Sequence, residues 1–244
     1  MARAKGGDNP RRQKGTSRSR EKRPRLVHIY TEGEVTEPQY IDIILGEGEL
    51  ARPDRSVERH FENPSAVGKH RKPLPMVKAA VRTLHEVERD AKKAGLDRKT
   101  SWNWPQVWVL FDRDDHQGIP EAMDLARQTG VRIAYSHPCF ELWRLLHYKN
   151  YTSTFGGICG SANSRLRQQP GFAETYGKNV TSVSEQQSKK MQPEQVLDNG
   201  RYVNAKRYAK SISKAHRAGS NPNHWDPYSD VWCFVEDGLL LSGY

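Results

Sequence analysis

The alternation of apolar and polar positions divides the chain into strands and helices in turn. Leu26, Val27, His28, Ile29 and Tyr30 form a short apolar run that stops at Thr31-Glu32-Gly33, as a buried strand does. A helix is predicted next, with Thr36 as its N-cap, Glu37 and Pro38 in its first turn, and Tyr40, Ile41, Ile43, Ile44 and Leu45 as its apolar face. Ser56 to Glu62 is a weaker strand around Val57 and Phe61. From Pro75, Val77, Ala80, Val81, Leu84, Val87, Ala91 and Ala94 recur every three or four residues up to Gly95, which predicts an amphipathic helix. Gln106 to Phe111 is the strongest strand and runs into Asp112-Arg113-Asp114-Asp115-His116. A helix over 119–129, a strand over 131–135 and a helix from about Phe140 to Tyr148 follow.

Strands that alternate with helices predict an α/β fold, a mostly parallel sheet with helices on both faces. The expected organisation is an α/β core over 25–148, a polar insertion or lid over 149–200 rich in Gln, Ser, Gly and Asn, and a helical C-terminal segment over 201–244 that packs on the core. The C-terminal segment holds a helix from Tyr202 to Arg217 and the apolar residues Val231, Trp232, Phe234, Val235, Leu239 and Leu240.

Charge changes the picture at the N-terminus. The 244 residues carry a net charge of +10. Ten basic against two acidic residues in positions 1–25 account for +8 of it. Almost without apolar residues, positions 1–24 are expected to be a disordered basic arm, in which Arg11, Arg12, Lys14, Arg18 and Arg20 would contact nucleic-acid phosphates in a salt-sensitive way. No apolar run reaches the roughly 18 residues of a membrane helix and no apolar stretch follows the basic N-terminus, so a cytoplasmic protein with no membrane partner is expected. The three cysteines, Cys139, Cys159 and Cys233, are far apart and form no CxxC pair, which indicates neither a disulfide framework nor a cysteine-rich zinc site.

Candidate chemistry lies at the strand ends. Parallel strands deliver their C-terminal ends to one edge of the sheet, where ligands usually bind. Glu32, Glu37, Asp112 and Asp114 would meet there if the first and the strongest strands are neighbours, and Glu141 follows another strand end. Carboxylates this close repel and raise one another's pKa unless a cation lies between them. Oxygen ligands in this number suit Mg²⁺ or Mn²⁺, so the expected reaction is metal-assisted phosphoryl transfer or phosphodiester hydrolysis, with Glu32, Asp112, Asp114 and Glu141 as metal ligands. The alternative is a non-catalytic nucleic-acid or partner-binding module whose acids hold a structural ion. A phosphatase of the haloacid-dehalogenase kind is disfavoured, because its nucleophilic Asp ends the first strand and here the Asp pair ends the third.

Three segments together resemble the RloB-like proteins of phage-defence and restriction-linked loci, which are related to the AbiL abortive-infection component. They are Thr31-Glu32-Gly33-Glu34-Val35-Thr36-Glu37 with Tyr40, Phe111-Asp112-Arg113-Asp114-Asp115-His116, and Ser136-His137-Pro138-Cys139-Phe140-Glu141-Leu142-Trp143 with His147. The resemblance covers about residues 25–148 in order and implies a Toprim-type fold with a metal-dependent nuclease site acting on DNA or RNA in antiviral defence. Glu32 would be the Toprim glutamate, Asp112 and Asp114 the Asp-x-Asp pair, Glu37 the additional acid, and Lys178 the cation that faces the charge developing on phosphate. His137 stands where the family more often has Asn, and Arg144 interrupts a helix that is usually apolar. The family further implies an ATPase partner of the AAA or ABC type. The chain has no Gly-x-x-x-x-Gly-Lys-Ser/Thr loop of its own. Self-association into a homo-oligomer is left open.

Overall fold

The computed structural model describes residues 23–197, 201–217 and 219–244. The proposed phosphate contacts Arg11, Arg12, Lys14, Arg18 and Arg20 lie outside them. Five strands, β1 (Arg25–Thr31), β3 (Val57–Phe61), β4 (Gln106–Asp112), β5 (Arg132–His137) and β6 (Tyr228–Ser229), form one sheet in the order β3-β1-β4-β5-β6. The first four are mutually parallel and β6 runs antiparallel to β5. A separate two-stranded ribbon pairs β2 (Glu49–Leu50) with β7 (Leu241–Gly243). The helices between the strands are α1 (Thr36–Glu47), α2 (Pro73–Lys93), α3 (Ile119–Thr129) and α4 (Phe140–Leu146).

Because side chains alternate along a strand, each central strand feeds two cores. Val27, Ile29, Trp108 and Leu110 face α1 and α4, packing on Tyr40, Ile41, Ile44, Leu142 and Trp143. Tyr30, Val107, Val109 and Phe111 face α2 and α3, packing on Met76, Val77, Ala80, Ile119 and Ala122. The expected α/β architecture with helices on both faces is therefore the one found.

The order of connections matters for the site. From β1 the chain passes through α1, on one face, to β3. It then crosses back through α2, on the other face, to β4 on the opposite side of β1. The loops leaving β1 and β4 thus diverge toward opposite faces, and a crevice opens between them, the usual ligand position in a parallel sheet.

Residues 149–197 take part in the core. They carry α5 (Cys159–Arg167), α6 (Glu185–Ser188) and α7 (Glu194–Leu197), and they bury Phe155, Ala162, Leu166, Phe172, Met191 and Val196 in the α1/α4 cluster. The C-terminal part adds α8 (Arg201–Ser213), whose Tyr202, Ala205, Ala209 and Ile212 join the same cluster. It also supplies β6 and β7, which the reading of a purely helical tail omits. Strands of two and three residues are too short to show alternation, and only their partners reveal them. Among the described residues no helix is long and apolar enough to cross a membrane.

Candidate metal centre at the β1–β4 crevice

A cavity of about 600 Å³ occupies the crevice, and Glu32, Glu37, Asp112, Asp114 and Glu141 all line it. These are the five acids expected from the sequence. Glu34 and Glu185 add to the wall, and Lys189, just beyond α6, is the one basic residue among the described lining groups. Lys178 is exposed on the loop before α6 and does not line the cavity. The cation at the cleft is thus contributed eleven residues further along, at a lysine with no distinguishing pattern around it.

The loop after β1 is held by two buried polar residues that carry no motif. Asn63 pairs with the Thr31 backbone, accepting its N–H at 3.1 Å and donating to its carbonyl at 2.8 Å. Arg71, 5% exposed, donates to the carbonyls of Thr31, Gly33, Asn63, Pro64 and Ala66 at 2.8 to 3.2 Å and pairs with Glu34 at 3.3 Å. A guanidinium that satisfies so many carbonyls sets the direction in which Glu32 leaves the sheet. Glu32 Oε2 accepts the Asp112 N–H at 3.0 Å, and Oε1 is hydrogen-bonded to His116 Nε2.

Glu37 is buried in the first turn of α1, and its Oε1 accepts the Gly33 N–H at 2.9 Å. A Cβ at position 33 would lie 2.0 Å from Glu37 Oε2, so the glycine is what lets this carboxylate approach the loop. Thr36 does not cap α1 as expected. Val35 occupies the N-cap, and the Thr36 hydroxyl instead donates to the Lys189 carbonyl at 3.1 Å, tying the helix start to the segment that carries the lysine.

After β4, Arg113 N–H bonds Ser136 O and Asp114 N–H bonds Pro138 O, at 2.9 and 3.2 Å. Asp114 adopts a left-handed conformation, φ 33°, that carries it over the edge. Aspartate tolerates this region better than most residues. Oxygen atoms of Glu32 and Asp114 and a ring nitrogen of His116 lie within 4.8 Å of one another, a spacing that one cation spans. His116 is the functional candidate that sequence reasoning left out of the site, although it ends the acidic cluster four residues after Asp112.

Electrostatics agree with the crowding. Burial, then repulsion from Glu141 and Glu32, raises Glu37 from 4.5 to about 7, against the hydrogen bond from Gly33. Asp112 is also raised, by burial and by the charges of Glu32, Glu37 and Glu141. The hydrogen bond to Glu32 raises His116, which favours a proton where a cation would relieve the same repulsion.

Glu141 lies in the first turn of α4 and is 8% exposed, with its Oε2 3.5 Å from Cys159 Sγ and Arg144 Nη1 3.9 Å from its other oxygen. The expectation that the cysteine spacing indicates no disulfide framework is corrected here. Cys139, before α4, and Cys159, which starts α5, are disulfide-bonded with their Cα atoms 5.4 Å apart. The 20-residue separation hides the pairing, because only the folding of 149–158 brings α5 against α4. His147 is remote from this chemistry. It is buried, pushed down to about 3 by desolvation, and bonded to Trp143 O and the Tyr244 hydroxyl.

Residues 27–237 match the family model described as RloB-like protein, so the chain belongs to that family. No curated protein and no solved structure matches it.

Proposed function

Starting from a chain that belongs to the RloB-like family, we propose a Mg²⁺- or Mn²⁺-dependent nuclease of the Toprim kind that hydrolyses phosphodiester bonds of DNA or RNA in antiviral, abortive-infection defence. One observation carries this reading: five acids from β1, α1, β4 and α4 converge on a cavity with one lysine in its wall. The donor set fits a divalent cation. Glu32, Asp114 and His116 would hold it, with Asp112 and Glu141 completing the oxygen shell. The imidazole suits Mn²⁺ at least as well as Mg²⁺. A bound ion supplies positive charge that neutralises phosphate oxygens and acidifies a coordinated water.

The remaining roles belong to the protein. Glu37, held near 7 by its burial, is suited to accept a proton from the attacking water at Oε2 while Oε1 stays anchored to Gly33. Lys189 faces the charge that develops on phosphate. The Asp112 N–H fixes the rotamer of Glu32. An ATPase subunit of the AAA or ABC type is the proposed partner, and cytoplasmic location fits a nuclease that meets phage nucleic acid.

The test is cleavage of single- and double-stranded DNA and RNA by the purified protein with Mn²⁺, with EDTA, and with Asp114→Asn, alone and with candidate ATPase subunits. Cleavage that requires metal and falls by at least about a hundredfold in the variant supports the assignment. Cleavage indifferent to both EDTA and the substitution refutes it.

A further inference from the structure

The opposite edge of the sheet has the reverse electrostatic character. Three neighbouring strands start there, and their first residues include Arg25 of β1 and Arg132 of β5. Arg55 lies two residues before β3, and Arg98 comes from the loop between α2 and β4. Arg25, Arg98 and Arg132 line one cavity of about 240 Å³ together with Trp102 and Trp104. Arg55 borders it, with its guanidinium 5.0 Å from the Trp102 ring.

Structural work accounts for part of this cluster. Arg25 donates to the carbonyls of Trp102 and Asp237, and Arg132 lies 5.4 Å over the Trp108 ring. Among the described residues two carboxylates pair with these guanidiniums: Glu88, 3.5 Å from Arg98, and Asp237, 3.5 Å from Arg132. Positive charge is left over around a concave surface. Its effect is visible at Arg25, which is brought down to about 10 by burial and by the nearby charges of Arg132 and Arg55. Arg98 and Arg132 keep 60% and 44% of their side chains exposed, so both can engage a ligand. The covalent chain also reaches β1 at this end from residues 1–22, which have a net charge of +6 in the sequence.

We propose that this cavity is a phosphate-binding site, in which Arg98 and Arg132 grip a phosphate carried by a nucleotide or a nucleic-acid strand and Arg25 and Arg55 supply supporting charge. Guanidinium groups match phosphate with paired N–H donors, and the indole rings offer a surface for the attached sugar or base. The site is separate from the acidic crevice by the length of the strands, about 20 Å for the seven residues of β1. It would hold nucleic acid at a distance from the acidic crevice, or sense a nucleotide there. The proposal does not depend on the nuclease reading.

The experiment titrates the full-length protein with inorganic phosphate, with adenosine monophosphate, and with an oligonucleotide bearing or lacking a 5′-phosphate, following tryptophan fluorescence at roughly physiological salt. Saturable binding of any phosphate-bearing probe, weakened at least about tenfold in Arg98→Gln and less in Arg98→Lys, is expected. The ratio among the probes tells a free phosphate from a nucleotide or a strand end. Arg207→Gln, on the exposed side of α8, should bind like the parent. Arg98 is exposed, so its substitution leaves the core intact, and the double variant with Arg132→Gln is read only with an unchanged circular-dichroism melt. Absence of saturable binding by all probes, or equal affinity in Arg98→Gln, overturns the proposal.

Discussion

Replacing Glu37 by Gln should make the metal-free protein more stable at alkaline pH. The carboxyl is buried, and its pKa rises from 4.5 to about 7 on folding. That change corresponds to about 3 kcal/mol at roughly 1.4 kcal/mol per pH unit. Between pH 4.5 and 7 the folded state binds more protons at this site than the unfolded state. Stability therefore falls as pH rises through this window and stays at the lower level above it. The substituted amide keeps an oxygen for the Gly33 N–H and offers donors to the neighbouring acids Glu32 and Glu141. Urea unfolding in EDTA checks the sign. Parent and variant should have nearly equal stability near pH 4.5, and at pH 8.5 the variant should be ahead by about 2 to 3 kcal/mol. Asp112 is also raised, by burial and by the charges of Glu32, Glu37 and Glu141, so the parent-minus-variant difference is the informative quantity, not either slope alone. Adding Mn²⁺ at pH 8.5 should narrow the gap, since the ion relieves in the parent the repulsion that the variant lacks. A variant less stable than the parent at pH 8.5, or a difference independent of pH, would refute the account of a crowded, cation-seeking site.

Two other substitutions probe the scaffold around it. Gly33→Ala places a methyl group 2.0 Å from Glu37 Oε2, so it should displace that carboxylate and lower Mn²⁺-dependent cleavage by at least about tenfold, with the unfolding midpoint moved much less. Arg71→Met strands the carbonyls of the β1 loop without donors and should cost about 3 kcal/mol or more in chemical denaturation; a loss under about 1 kcal/mol would show that the guanidinium is dispensable.

The two periodicities make much of the architecture legible. Alternation in β1 and β4 and the three- to four-residue spacing of α2 name the elements and their buried faces, because a local repeat is enough to tell a strand from a helix. The acids, too, are legible in the sequence, since in parallel strands whatever follows the last apolar residue ends up at one edge. Which of these ends are neighbours is a property of the tertiary arrangement. The crossing of α2 over β1 puts Glu32 beside Asp112 and separates the two loops into a crevice. His116, Lys189 and Arg71 join the site through contacts between segments far apart in the chain, and such contacts leave no repeat in the sequence. The Cys139–Cys159 pairing and the arginine cluster at the far edge have the same origin. The order of residues determined the long strands and helices of the core and the supply of charges; the short strands, the distances between charges, and hence the pKa of Glu37 and the fit for a cation, were decided by packing, because electrostatic energy depends on separation and burial.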